Sequence, residues 1–278
     1  MGVHKKKIWR LFLAVSFVAA MVGCKSQKEI QKEEEQSEIT VFAAASMTET
    51  LTEIGKIYEK EHPKIRLVFN FDSSGTLKTQ IQEGAECDLF ISAAQKQMDE
   101  LEKEDSLVLT ETRIDLLENR VALCVSEEKR SEIGTFDQWA EKLKAGTVFM
   151  AMGNSDVPVG QYTQKILAYY GFDEEVLKEQ GLISYGSNVK EITTQILEGS
   201  VDCGVIYCTD AVSAGLPVQD YATEEMCGKV VYPAGVLKNS AHPEEAKTFL
   251  AFLQTKECMD IFEKVGFSAV SESSGKEI

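Results

Sequence analysis

Apolar positions along this chain alternate between two periods. Residues 39–45 (ITVFAAA) form a short continuous apolar run, the mark of a buried strand, and residues 47–61 then set Leu51, Ile54, Ile57 and Tyr58 on one helical face. Residues 65–71 are strand-like again, 77–84 read as a short helix, and 88–92 (DLFIS) as a third strand. Strand and helix taking turns in this way predict parallel pairing through right-handed crossovers. A second set follows, with strands at 121–125, 148–152 and 201–208 and helices at about 136–143, 160–170, 174–180 and 189–198. A strand at 230–237 and helices at about 243–254 and 256–264 close the chain. There is no internal repeat, and after residue 38 no structureless stretch exceeds an ordinary loop. The expectation is an α/β protein of two lobes.

Before residue 38 the pattern is different. Lys5, Lys6, Lys7 and Arg10 precede an apolar run over 11–23 that ends at Cys24. Thirteen residues fall short of the roughly 20 that span a bilayer as a helix, and the flanks match a secretory signal over 1–23. Met21-Val22-Gly23-Cys24 resembles a lipobox, in which the cysteine is lipidated and becomes the new N-terminus. An ordinary signal peptide or signal anchor with an incidental cysteine is the plainer alternative. Residues 25–38 hold one apolar side chain in fourteen, too few to fold. Residues 24–37 are therefore expected to be a lipidated cysteine and a flexible tether, holding the protein on the outer face of a membrane. The acidic run Glu33–Glu35 within it reads as a solvated charge run.

Composition narrows the function. The 278 residues are 44% hydrophobic, enough for a sizeable core, and the net charge is −16. Without the four N-terminal cations, 25 basic side chains face 45 acidic ones, a charge of −20. A nucleic-acid binder needs a basic face, so that class is excluded, and an anionic ligand could not be drawn in by bulk attraction. Six cysteines remain after Cys24, namely Cys87, Cys124, Cys203, Cys208, Cys227 and Cys258, at spacings that suit neither a disulfide framework nor a zinc site. They are expected to be buried free thiols. His62 and His242 both precede prolines and have no histidine partner at helical spacing, and no G-x-S-x-G elbow occurs. Catalysis is not expected, although a serine triad assembled in space is open to no sequence test.

Four turns could hold a ligand, each feeding a helix after a strand-like or apolar stretch. Ser46-Met47-Thr48-Glu49 has the spacing of a capping box, with Ser46 as N-cap and Glu49 three residues on. Residues 71–76 (FDSSGT) bring hydroxyls before the helix of Leu77 and Ile81. Residues 156–160 (DVPVG) set a proline near a first helical position, and Asn188 and Glu191 are spaced as another cap. Helix N-termini offer unpaired N–H groups and about half a positive charge. Convergence of several would hold an oxyanion without lysine or arginine; separately, they are the ordinary caps of any α/β protein.

The blocks VFAAASMTETL (41–51), FDSSGTLKTQI (71–81), CDLFISA (87–93), GNSDVPVGQY (153–162), SNVKEI (187–192), GVIYCTDA (204–211), YPAGVL (232–237) and FEKVGF (262–267) together resemble, in order, the molybdate-binding proteins of bacterial ABC importers. The resemblance covers about 38–270. It implies a two-lobed fold of the type II periplasmic-binding kind, with 38–117 and 232–270 in one lobe, 118–231 in the other and the ligand in the cleft between them. It also implies that Ser46 and Ser74 donate hydroxyl and backbone N–H groups, Val159 and Val189 backbone N–H groups, and Tyr207 its phenol. The ligand would be molybdate or tungstate, held through its oxygens with no direct metal ligand and no cofactor. An ABC permease would be the partner of a monomer anchored to the membrane by lipid.

Asp72, Gly75 and Val159 depart from the family pattern, and Asp72 and Asp156 would have to turn away from a bound anion. Without the resemblance, Tyr207 would read as a packing residue. Other oxyanions stay open. Sulfate is all-acceptor like molybdate and would be rejected only by size, whereas phosphate would favour an acidic acceptor in the site. An organic acid would favour an arginine clamp, and Arg66, Arg113, Arg120 and Arg130 all lie outside the four turns.

Overall fold

Ten strands divide between two sheets. The strands are β1 (Ser37–Ala44), β2 (Ile65–Asp72), β3 (Leu89–Ile91), β4 (Ile114–Asn119), β5 (Val121–Val125), β6 (Met150–Gly153), β7 (Ile183–Gly186), β8 (Cys203–Tyr207), β9 (Val218–Tyr221) and β10 (Val230–Val236). The computed structural model describes residues 36–270. The expected signal peptide, Cys24 and nearly all of the expected tether lie outside the described residues. Ser37, assigned to the tether from sequence, instead opens β1: its N–H donates to the Lys64 carbonyl at 2.9 Å and it pairs with Ile65.

The first sheet has the order β2-β1-β3-β10-β4 and the second β7-β6-β8-β5-β9. In each, three parallel strands are followed by one antiparallel strand that enters from the other lobe, then an edge strand. This is the type II arrangement. The chain passes between the sheets twice, from Asn119 to Val121 and from Tyr221 to Val230, against the expected divisions at 117/118 and 231/232. Central strands β5, β8 and β10 are buried at every residue, as strands covered by helices on both faces must be.

Those helices are α1 (Thr48–Glu61), α2 (Ser74–Gln82), α3 (Gln95–Asp99), α4 (Phe136–Lys144), α5 (Pro158–Tyr169), α6 (Glu174–Glu179), α7 (Val189–Leu197), α8 (Cys208–Ala214), α9 (Glu224–Cys227), α10 (Pro243–Phe252) and α11 (Lys256–Lys264). Each lobe has an aromatic anchor. Tyr58 of α1 packs on Phe249 and Phe252 of α10 at 4.9 and 5.0 Å between ring centroids. Trp139 of α4 meets Phe136, Tyr170 and Phe172 at 5.8, 6.0 and 6.2 Å. Fully burying such a ring contributes roughly 1.5–3 kcal/mol, so the loss of any one would loosen its lobe.

Periodicity found the covered strands and missed β4, β7 and β9. All three are sheet edges, only partly buried and of mixed polarity, so their pattern is weak. It also missed the short helices α3, α8 and α9, and extended β8 through Cys208, which is the first residue of α8. The Ser46 capping box is corrected too. A 3-10 turn over Ala45–Met47 runs straight into α1, so Ser46 lies inside the helical segment and Met47 takes the cap position without a side-chain bond. The six cysteines Cys87, Cys124, Cys203, Cys208, Cys227 and Cys258 are buried free thiols.

Candidate functional site

The turns after β1, β2, β6 and β7 meet at one small cavity between the two sheets. Ala44, Ala45, Ser46, Asp72, Ser73, Ser74 and Ala93 form its wall on the first lobe, and Val157, Pro158, Val159, Val189 and Tyr207 its wall on the second. All five residues proposed from sequence, Ser46, Ser74, Val159, Val189 and Tyr207, line this space of about 200 Å³, taken out to its mouth. No lysine, arginine or histidine is among the lining residues.

The first lobe presents serine hydroxyls, each already held by one hydrogen bond. Ser74 Oγ accepts the Ala93 N–H at 2.9 Å, which leaves its own proton for the cavity. Ser46 Oγ lies 2.9 Å from the Tyr232 hydroxyl, and Asn119 Nδ2 donates to that hydroxyl at 3.1 Å and to Thr209 Oγ1 at 3.0 Å. The Ser46–Tyr232 bond has no fixed direction; with Tyr232 donating, the Ser46 proton is free for the cavity. Burial, with Asp210 adding to it, pushes the Tyr232 phenol well above its ordinary pKa, so it stays protonated. Ser73 caps α2 through Thr76 N–H at 3.1 Å, leaving the Ser74 N–H at the first helical position, where no carbonyl of the same helix can reach it.

The second lobe presents backbone. Asn188 Oδ1 caps α7 by accepting from Lys190 and Glu191 N–H at 3.0 and 3.2 Å, and the Val189 N–H stays outside that cap. Glu191 adds to this start by accepting the N–H of Ser187, the residue before the cap, at 2.7 Å. In α5, Pro158 takes the first position, where its lack of an N–H is harmless, and Val159 follows. Gly160 lets α5 approach the preceding turn, because a Cβ there would run into the Gly153 carbonyl and lie 2.5 Å from that of Asn154. Tyr207, fully buried at the end of β8, donates a long 3.5 Å bond to the Ala93 carbonyl. Burial, with Tyr232 and Tyr162 adding to it, keeps its phenol protonated.

Two carboxylates needed to turn away. Asp156 is exposed and does not line the cavity. Asp72 does line it, with Oδ1 accepting from the Ser73 N–H at 2.7 Å and from Asn188 Nδ2 at 3.4 Å. The lobes touch here: a Cβ on Gly75 would collide with the Asp156 carbonyl. Beyond the cavity, Asp210 is fully buried, which raises its pKa to about 6 although Lys190 pulls the other way. Burial also works against the Lys190 charge, but Asp210 and Glu49 hold its pKa above the ordinary value.

Sequence reasoning missed Tyr232, Asn119 and Gly160. Tyr232 sits in a wholly buried strand, and nothing local marks a phenol that reaches Ser46 across 186 residues. Asn119 ends an edge strand, and Gly160 was visible only as part of a helix start. Among the described residues no group of three or more His, Cys, Asp or Glu side chains could hold a metal ion, and no helix is long and apolar enough to cross a membrane.

Comparison with known proteins agrees with this architecture. YvgL of Bacillus subtilis, named as a proposed ABC transporter substrate-binding lipoprotein, is 35% identical over 266 residues, 95% of this chain and 99% of the relative. The molybdate-binding protein ModA of Haemophilus influenzae is 31% identical over 239 residues, 84% of this chain and 91% of the relative. The solved periplasmic molybdate-binding protein of Azotobacter vinelandii shares the fold, with a TM-score of 0.72 at 20% identity over 84% of this chain and all of that one (100%). Residues 39–268 match the profile of one family, and the chain belongs to it: the bacterial extracellular solute-binding proteins.

Proposed function

We propose that this protein captures a tetrahedral oxyanion, molybdate and with it tungstate, outside the cytoplasm, and delivers it to an ABC permease. One observation carries the reading: the Ser46, Ser74 and Tyr207 hydroxyls and the helix starts at Val159 and Val189 converge on one cavity, and no cation lines it. Such a wall suits an anion that only accepts. A charge-assisted hydrogen bond contributes about 1.5–3 kcal/mol net. Six or seven of them reach nanomolar affinity, near −12 kcal/mol, after desolvation and closure costs. In this reading Ser46, Ser74 and Tyr207 give hydroxyl protons, and Ser46, Ser74, Val159 and Val189 give backbone N–H groups. The names of the relatives, molybdate-binding in Haemophilus influenzae, support the ligand.

The same reading makes the protein a carrier and not an enzyme, with no cofactor, acting as a monomer. The YvgL name supports a lipid anchor at Cys24. Closure of the lobes buries the anion, and the closed form is what the permease receives.

Asp72 favours a second reading. A carboxylate on the wall could accept a proton from hydrogen phosphate, which a wall of donors alone would leave unpaired. Sulfate, all-acceptor like molybdate, differs in size only. Calorimetric titration of residues 25–278 with molybdate, tungstate, sulfate and phosphate separates these. Tight 1:1 uptake of the two metal oxyanions, with sulfate at least about a hundredfold weaker, is expected. Silence from both would sink the proposal, and phosphate binding that disappears in Asp72→Asn would favour the second reading.

A further inference from the structure

Lys190 is the second residue of α7, directly after Val189, and it does not line the cavity. Its ammonium lies 2.8 and 3.0 Å from the two carboxylate oxygens of Glu49, in the first turn of α1. It is also 3.3 Å from Oδ1 of Asp210, whose side chain has no exposed surface. Asp210 and Lys190 belong to the second lobe and Glu49 to the first. The lysine is therefore anchored from behind by a buried carboxylate, which without it would be left as an uncompensated charge, and reaches forward to the opposite lobe. On the other side of Val189, Asn188 Nδ2 meets Asp72 of the first lobe at 3.4 Å. The Val189 N–H thus sits between two cross-lobe contacts, of which the lysine bridge has the shorter distances and the charges.

We propose that Lys190 is a closure latch and a positioning residue: by bridging Asp210 to Glu49 it holds the lobes shut and keeps the Val189 amide opposite the serines of the first lobe. A ring of polar contacts closes through it. Ser46 leads through Tyr232, Asn119 and Thr209 to Asp210, with Thr209 Oγ1 3.5 Å from Asp210 Oδ2. Lys190 then returns to Glu49, three residues from Ser46. Asn119 stands at one of the two chain crossings, so the ring joins the cavity, the hinge and the outer edge of the cleft. A latch acts after the ligand has entered, so it slows release and leaves capture almost unchanged.

The inference rests on reading the cavity as an oxyanion site, and the test separates the two. Molybdate association and dissociation rates are measured by stopped flow for the natural protein, Lys190→Met, Lys190→Arg, Glu49→Gln and the double variant E49Q/K190M. Dissociation about tenfold faster in Lys190→Met, with association within about twofold, supports the latch, as does recovery in Lys190→Arg. Glu49→Gln changes only the exposed end of the bridge and so does not put folding at risk; a several-fold faster release, not additive with Lys190→Met, is expected. Natural release rates in both single variants, or strictly additive effects, would overturn the latch. If the natural protein takes up no molybdate, the ligand reading alone fails. The latch is then judged from the thermal midpoints of the ligand-free natural protein, the two single variants Lys190→Met and Glu49→Gln, and the double variant: non-additive shifts support it and additive shifts overturn it.

Discussion

The two walls of the cavity reach the same end by different means. On the first lobe serine hydroxyls are donors: the Ala93 N–H directs the Ser74 proton, and Ser46 shares a hydrogen bond with the Tyr232 hydroxyl, which also accepts from Asn119. On the second lobe the donors are mostly backbone, placed by an asparagine cap, a proline start and a glycine contact, with the Tyr207 phenol added. A hydroxyl can be deleted by one substitution, and its direction lost by another at a distance. A backbone N–H survives any substitution that leaves the helix start where it is. The second wall should therefore be sensitive to backbone placement and indifferent to side-chain identity, and the first the reverse.

The strongest way to break this contrast is to move the second wall's backbone. Gly160→Ala pushes a methyl group into the Gly153 carbonyl, and the start of α5 must retreat with the Val159 N–H. Molybdate affinity is expected to fall by about a hundredfold or more, with a loss of stability of about 1–3 kcal/mol from overpacking. Calorimetry and urea denaturation read the two effects. Next comes the first wall: Ser74→Ala removes a donor and also leaves the buried Ala93 N–H without its acceptor. Binding at least about tenfold weaker is expected, and normal binding in both Ser74→Ala and Ser46→Ala would show that the site has been misassigned.

Much of this contrast was legible in the sequence. The serine turn over 71–76, the proline at 158 and the Asn188–Glu191 spacing each announced a helix start, because capping chemistry is local and leaves its residues adjacent. Convergence of those starts is a tertiary fact, and only the resemblance of whole blocks to a known family suggested it. The directing partners were not legible. Tyr232 and Asn119 act from buried or edge strands whose pattern speaks of packing alone, and Ser46 imitated a capping box while its hydroxyl turned to Tyr232. The edge strands β4, β7 and β9 escaped for a related reason: half-buried four- to six-residue segments carry too few apolar positions to show a period.

A pH-dependent effect on stability of similar size tests the fully buried Asp210 carboxylate of the second lobe. Burial raises the Asp210 pKa from 3.8 to about 6, so the folded protein holds this proton more tightly than the unfolded chain. Its contribution to stability is full below about pH 3.8 and is lost as pH rises through about 6. The lost contribution is on the order of 3 kcal/mol. Asp210→Asn removes this dependence. The difference in unfolding free energy between Asp210→Asn and the natural protein should grow in favour of the variant between pH 4 and 6 and level off above. A difference independent of pH would show that the carboxyl titrates alike in both states.

The smallest expected effect sharpens the contrast most directly. Val159 and Val189 both line the cavity and both are buried, so on contact alone they would be counted with the serines. In the backbone reading their side chains carry no donor, and alanine keeps the N–H at the same place in a capped helix. Val189→Ala should cost about 1–2 kcal/mol of stability for the lost apolar contacts, yet change molybdate affinity by less than about threefold. Val189→Pro removes the N–H at a first helical position that proline otherwise tolerates, and should weaken binding by about tenfold or more. The pair separates two causes that a single substitution confounds. If alanine weakens binding as much as proline, the side chain and not the amide is the ligand's contact, and the division between a side-chain wall and a backbone wall fails.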